Sequence, residues 1–297
     1  MKNKQVLRFS SSNLFSKEAV YFTLNQMLPI NLKEAIKQSK LWLRHRCKYT
    51  NIYHCCVHKT ASQWMQSLLC DRVVYQYSGL ALCPNGTVKR GGYRQATVME
   101  NQAVPPHTIA GSVHVNFENF QAIPKPDAYR AFFVMRDPRD IVVSYYFSTK
   151  CSHTEHPRIL AEREKLQSLS MTEGFLYAIE CLENIHLFAA LESWVKAEQR
   201  DPNVKLFCFE DLTATDNLVV FQDLFSHCDI PIPEHILTPL LAKYSFENLT
   251  KGRSPGEENQ QSHLRKGVKG DWQNYFNSQI EQKFREVTGD LVEVLGY

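Results

Sequence analysis

Apolar residues recur along this chain with two spacings. Ile52 to Val57 is a short continuous run with β-branched ends, which predicts a buried strand, and the spacing from Ser62 to Leu69 predicts a helix close behind it. Ala131 to Met135 is a second such run, ending at Arg136. Behind it, Asp137, Pro138, Arg139 and Asp140 read as a helix N-cap, a first-turn proline and an N3 acid, with the helix continuing through Tyr146. Thr108 to Val115 and Val204 to Phe209 predict two further strands. Phe175, Ile179, Leu182, Ile185, Ala189 and Trp194 lay one broad apolar stripe along Thr172 to Gln199, which predicts a single helix of several turns. Asp216 to His227 and Gln279 to Leu295 are also helical in pattern, and Asn31 to Arg46 fits a helix imperfectly.

Strands alternating with helices predict an α/β fold: one domain with a central, mostly parallel sheet flanked by helices. Residues 1–49 are expected as a partly helical N-terminal extension packed on a domain of residues 50–297. Thr250 to Gly270 is rich in Gly, Ser, Asn and Gln and too long for a simple connector, so a flexible loop is expected at about 250–264, with Thr250 to Gln261 a candidate lid next to Arg265.

The 297 residues, 43% hydrophobic and 22% charged, suffice for a substantial core. With 34 Lys+Arg against 31 Asp+Glu the formal net charge is only +3, so no general nucleic-acid or anionic-membrane surface is implied. Any polyanion site must be local. Glycine is scarce, at 12 residues, and neither a G-x-x-x-x-G-K-[ST] loop nor a G-x-G-x-x-G turn is present. Nine cysteines without a C-x-x-C pair, and an opening Met1 to Arg8 run without an apolar stretch, point to a reducing, cytoplasmic setting with no membrane span.

Three segments carry candidate chemistry. His58, Lys59, Thr60, Ala61, Ser62, Gln63 and Trp64 lie where the first strand gives way to its helix, and a helix start with two hydroxyls and a lysine suits a phosphate or sulfate. Arg136 at a strand end is followed eight residues later by Ser144, an arginine and a helix hydroxyl able to share one anion. Arg265, Lys266 and Gly267, ahead of Gly270, Asp271 and Trp272, form a basic turn whose glycines let backbone approach an anion. Taken singly, each segment also reads as a capped helix start, an ion-paired arginine or a solvated basic turn. His54, Cys56 and His58 would share one face of the first strand, but no further ligand cluster accompanies them, so they read as core and no metal is expected.

Together the three segments resemble the sulfotransferase family that uses 3′-phosphoadenosine 5′-phosphosulfate (PAPS). Residues 58–64 resemble its P-K-S-G-T-T-W loop, residues 136–144 its R-[DN]-x-x-D-x-x-x-S motif, and residues 265–272 its R-K-G-x-x-G-D-W. The resemblance implies a P-loop-like sulfotransferase fold over roughly residues 50–276, a sulfuryl transfer from PAPS with PAP as product, and no metal. It implies that Lys59, Thr60, Ala61, Ser62 and Gln63 hold the 5′-phosphosulfate and that Trp64 stacks on adenine. Arg136, Ser144, Arg265, Lys266 and Gly267 would bind the 3′-phosphate. Phe246, with Ser245 beside it, matches the second adenine-packing aromatic, and Phe209 falls where the family often has a cofactor-contacting tyrosine. His114 is expected as the general base, Lys59 as the group that stabilises the leaving oxygen, and Ser144 as the residue that holds Lys59 back until acceptor binds. Were the acceptor a nitrogen, Glu118 could share or replace the role of His114.

The departures also carry information. The loop's proline is His58 and its glycine is Ala61, and the K-x-x-x-T-V-x-x-x-E dimer motif of animal enzymes, aligned with Gln273, Asn277, Ser278 and Gln282, is not present. A divergent member that tailors microbial natural products, acting on a small-molecule acceptor, is therefore expected. Two other readings stand beside it: a P-loop small-molecule kinase using ATP, and a non-catalytic nucleotide-binding protein of the same fold.

Overall fold

The structure is a computed structural model that describes residues 47–83, 93 and 103–297. The helical pattern at 31–46, nearly all of the 1–49 extension and most of the stretch from 75 to 100 lie outside the described residues. Five parallel strands form one sheet: β1 (Asn51–Cys56), β2 (Ala81–Cys83), β3 (Thr108–His114), β4 (Tyr129–Met135) and β5 (Val204–Cys208), in the order β2-β3-β1-β4-β5. β1 is central, and all six of its residues, the polar Asn51 and His54 among them, are buried, as befits a strand covered on both faces.

Two hydrophobic layers cover the sheet. Tyr53, Cys55, Phe117, Phe120, Phe133, Phe175 and Trp194 belong to the layer on one face, and Ile52, Met65, Leu68, Phe132, Phe221 and Phe225 to the layer on the other. The alternation of β1 residues between the two layers is the period-two geometry of a strand. Trp194 is fully buried, stacks on Phe133 at 4.5 Å and donates its indole N–H to the Val115 carbonyl at 3.1 Å.

The helix behind β1, α1 (Ser62–Leu69), has the predicted bounds. α2 (Arg72–Ser78) and α3 (Phe117–Ala122) follow β1 and β3, with Asp71 and Asn116 as their N-caps. The helix behind β4, α4 (Pro138–Phe147), has Asp137 as N-cap, accepting from the Arg139 N–H at 2.8 Å, with Pro138 in the first turn. The single helix expected over 172–199 is three: α6 (Met171–Asn184), α7 (Leu187–Trp194) and α8 (Ala197–Arg200), preceded by α5 (Pro157–Ser168). His186 takes a left-handed backbone, φ 60°, and turns the chain by 60° between α6 and α7, so the apolar stripe wraps the sheet instead of running straight. Beyond β5 come α9 (Phe209–Leu212), α10 (Leu218–His227), α11 (Glu234–Lys243), α12 (Phe246–Leu249), α13 (Ser278–Thr288) and α14 (Leu291–Val294). Gly289, φ 60°, splits the helix expected from 279 to 295 into the last two. Among the described residues no single helix is long and apolar enough to cross a membrane. None of the nine cysteines is in a disulfide.

Candidate functional site

Parallel α/β sheets bind ligands beyond the carboxyl ends of their strands. Here those ends deliver Lys59 after β1, His114 at the end of β3, Arg136 after β4 and Phe209 after β5. Four residues distant in sequence thus share one rim of the sheet because their strands are neighbours.

The loop after β1 is built on two left-handed residues, Lys59 (φ 70°) and Ala61 (φ 58°), a backbone pattern that turns successive N–H groups into a concavity. Thr60 is buried, and its hydroxyl donates to the Val57 carbonyl at 3.0 Å, pinning the loop to the strand end. Ala61 occupies the helix N-cap, where the resembled motif has glycine; its Cβ is held in a conformation that costs about 1 kcal/mol. Lys59 is half-buried, and burial of its ammonium, together with the neighbouring Arg136, pushes its pKa down to about 7.

Arg136 joins the two strand-end units: its Nη1 donates to the Lys59 carbonyl at 2.8 Å, while its guanidinium lies 4.3 Å over the Phe209 ring. Phe209 therefore supports Arg136 by a cation–π contact where a tyrosine was the family pattern. The Arg136 Nε is buried without a partner. A buried N–H without an acceptor is costly, and a phosphate oxygen would satisfy it, so the donor set fits an anion. In α4 only Arg139 and Ser144 are not buried, and Ser144 lies two turns along the same helix.

The third segment is tied to the second by a residue whose sequence role looked smaller. Asp140, read as an N3 acid, instead accepts the backbone N–H groups of Gly270 at 2.7 Å and Trp272 at 2.9 Å. Arg139, ion-paired with Asp137 at 2.7 Å, lies 3.9 Å over the Trp272 ring. Arg265 and Lys266 both pair with the buried Asp271, Lys266 at 2.6 Å, and Arg265 also pairs with Glu258. Gly267 has φ 67°, and a Cβ there would strike the Phe246 ring, so the basic turn closes directly onto that aromatic. Trp64 donates its indole N–H to the Tyr244 carbonyl at 2.8 Å, two residues before Phe246. Ser245 caps α12, its hydroxyl accepting from Asn248 N–H at 3.3 Å. Gln63 is exposed, and the Ser62 carbonyl accepts from the Ser112 hydroxyl at 3.2 Å.

The segment at 250–264, expected as a flexible loop, carries hydrogen bonds of its own. Arg253 donates to the carbonyls of Glu257, Leu264 and Arg265 and to the Ser262 hydroxyl, while Gly256 and Asn259 N–H groups bond to Lys266 and Arg265 carbonyls.

His114 is buried. A register shift between β1 and β3, where Tyr53 pairs with Ala110 but Cys55 with Val113, places Ser112 at φ 55° just before it. Such a bulge re-aims the residues that follow. Ser112 N–H donates to His54 Nδ1 at 3.3 Å, and His54 stacks on Phe132 at 5.0 Å; burial, and then His114, push the His54 pKa down to about 3. His54 is thus core, as read. Glu118 is exposed and pairs with Arg200 at 3.0 Å on the outer face of α3, away from the role considered for it. No group of three or more potential metal ligands occurs among the described residues. Residues that motif reading passed over are Asp140, Asp271, Glu258, Tyr93 and Tyr244. The acids sat inside or beside the motifs, but nothing local distinguishes a carboxylate that binds backbone from one that faces water.

The chain matches the sulfotransferase domain family over residues 31–296 and belongs to that family. The match begins ahead of the boundary expected at residue 50. Among curated proteins it is similar to cytosolic sulfotransferase 3 of Arabidopsis thaliana, 26% identical over 62% of this chain and 60% of that protein. It is also similar to sulfotransferase 1 family member D1 of Mus musculus, 26% identical over 53% and 52%. The matched stretch thus spans about half to three fifths of these relatives. Among solved structures, mouse sulfotransferase SULT7A1 complexed with PAP aligns with a TM-score of 0.53 at 16% identity, covering 87% of this chain and 91% of that one. Retinol dehydratase in a complex with retinol and PAP aligns at 0.50 and 15% identity, over 94% and 95%. At these identities the likeness defines the fold.

Proposed function

We propose that this protein transfers the sulfuryl group of PAPS to a hydroxyl or nitrogen of a small-molecule acceptor, in a cytoplasmic setting. The observation that carries the reading is the mutual bonding of the three basic segments. Arg136 holds the Lys59 carbonyl, Asp140 holds the backbone at 270 and 272, and Trp64 holds Tyr244. Segments that agree with a family motif only in sequence have no need to bond to one another. Membership of the sulfotransferase family and relatives complexed with PAP support the choice of donor.

PAPS supplies the sulfuryl group and departs as PAP. Lys59 meets the charge that grows on the oxygen bridging to the 5′-phosphate, with the N–H groups of residues 60–63 around it. Arg136, through its unpartnered Nε, and Ser144, Arg265, Lys266 and the Gly267 backbone bind the 3′-phosphate. Trp64 and Phe246 flank the adenine, and Ser144 restrains Lys59 before acceptor arrives. His114 takes the acceptor's proton. Arg265 and Lys266 exchange a carboxylate partner for the phosphate on binding.

Calorimetric titration with PAP and, separately, with Mg-ATP tests the donor, followed by transfer of labelled sulfuryl from PAPS to a panel of hydroxyl and amine acceptors. Tight PAP binding and labelled product are expected. ATP binding without PAP binding would overturn the reading in favour of a kinase, and PAP binding without turnover on any acceptor would favour a non-catalytic protein.

A further inference from the structure

His58 stands where the resembled loop has proline, and its surroundings give that exchange a consequence. The His58 ring lies against the His114 ring with centroids 4.7 Å apart and planes 28° from parallel. Tyr93 holds His58 from the side, its ring edge-on at 5.5 Å. The Tyr93 phenolic oxygen accepts the His58 backbone N–H at 2.7 Å and lies 2.6 Å from His58 Nδ1. Tyr93 is buried, and its carbonyl accepts from Asn116 Nδ2 at 3.2 Å; Asn116 is the N-cap of the helix that follows His114. Contacts therefore run in a closed circuit from His114 to His58, Tyr93 and Asn116 and back along the chain. Proline could not complete it, having neither a flat ring to stack nor an N–H for Tyr93.

We propose that His58, held by Tyr93, is a positioning residue for His114. This rests on the reading of His114 as the general base. The stacked ring fixes the plane of the His114 imidazole, and proton transfer is steep in such orientation. A phenol that accepts the backbone N–H can still give its own proton to Nδ1, and in that tautomer the ring proton of His58 is on Nε2. The π face of His58 then meets the positive charge that forms on His114, as aromatic faces attract cations. In the step itself the acceptor's proton passes to a His114 ring nitrogen, the acceptor-to-sulfur bond forms, and the sulfur-to-phosphate-oxygen bond breaks with its electron pair leaving on PAP. His58 gains and loses no atom.

The test uses the full chain and the variants His58→Ala, His58→Phe and Tyr93→Phe. His58→Ala should lower kcat by about tenfold with the PAP dissociation constant unchanged within about twofold, whereas His58→Phe, which keeps a flat face, should restore kcat to within about threefold of the parent. Tyr93→Phe should lower kcat by about threefold, and adding His58→Ala to it should cost less than the single change does, because both act through one contact. Equal losses in His58→Ala and His58→Phe, or a loss confined to PAP affinity, would overturn the proposal. A second readout does not need turnover: the His114 ring protons should show a ring-current shift in the NMR spectrum that His58→Ala abolishes and His58→Phe retains. An unchanged His114 signal in His58→Ala overturns the positioning role on its own. Should the parent protein transfer nothing from PAPS, the functional reading fails at that point, and the NMR comparison still decides whether His58 holds His114.

Discussion

The cations at the strand ends and the cations of the turn before Trp272 belong to one site but are held in opposite electrostatic states. Lys59 and Arg136 repel one another across a short gap, the Lys59 pKa is pushed down to about 7, and Arg136 keeps a buried N–H without a partner. Lys266 bonds to Asp271, which holds its pKa up; for Arg265, burial pushes the pKa down, but bonds to Asp271 and Glu258 outweigh it and leave the value raised. The strand-end pair sets two like charges side by side, whereas the turn pairs its cations with its own carboxylates. An arriving dianion therefore relieves repulsion at the first region and displaces a carboxylate at the second. Rigid strands can hold like charges close because the sheet fixes their ends; a turn has no such scaffold and keeps its shape through internal ion pairs.

Removing the strained cation should have the largest effect. Lys59→Ala should lower sulfuryl transfer by about 10²–10³-fold, the usual cost of losing one oriented donor to a developing negative charge. The same change should raise the melting temperature, because it deletes a buried ammonium; lowered stability together with lost activity would break the contrast.

The next effect is a proton. Free Lys59 titrates near 7, and a bound dianion raises that value, so PAP binding takes up a proton at pH 7 to 8. The Lys59 contribution to affinity should be flat below pH 6 and fall by up to about tenfold per pH unit above 7 until the raised pKa is passed. Calorimetry in buffers of different ionisation enthalpy measures the uptake directly, and Lys59→Ala should abolish it. In the unliganded fold the sign is opposite to that of a stabilising pair: the unfolded chain holds the lysine proton more tightly, so this group's burden on stability is full below pH 7 and is relieved as pH rises towards 10.5.

A smaller effect is expected where a carboxylate already occupies the cations. Glu258→Gln should tighten PAP binding by about three- to fivefold, because Arg265 is then freed of one competitor while Asp271 still holds the turn. Unchanged or weaker binding would show that Glu258 orders Arg265 and does not compete for it. Smallest of all, Ala61→Gly should stabilise the fold by about 0.5–1 kcal/mol in denaturant unfolding, since glycine takes the φ 58° conformation without a Cβ clash.

Much of the frame was legible from local pattern. The bounds of α1, the cap of α4 by Asp137 and Pro138, and four of the five strands follow from short apolar runs and from residues whose backbone chemistry acts within one turn. β2 was not legible, because three residues carry too little periodicity, and its place in the sheet is set by pairing with Ala110 and its neighbours. α5 and α11 were missed as well, one mostly exposed and the other holding Pro239 inside it. The long stripe from 172 to 199 kept its apolar spacing across His186, so periodicity alone reported one helix where a left-handed residue makes a bend.

For the site, the sequence by itself determined which residue types exist for the chemistry and that Lys59, Arg136 and Arg265 lie at the ends of predicted elements, because motif spacing and capping are properties of neighbouring residues. Only the tertiary structure decided what those groups touch. Arg136 reaches the Lys59 carbonyl because β1 and β4 are adjacent, Asp140 turns from first-turn acid to anchor because residues 270–272 return to it, and the bulge at Ser112 places His114 against His58. The reason is physical: hydrogen bonds, ring stacking and ion pairs act over a few ångströms through space, and a separation of 77 or 130 residues along the chain carries no record of them until the sheet brings their ends together.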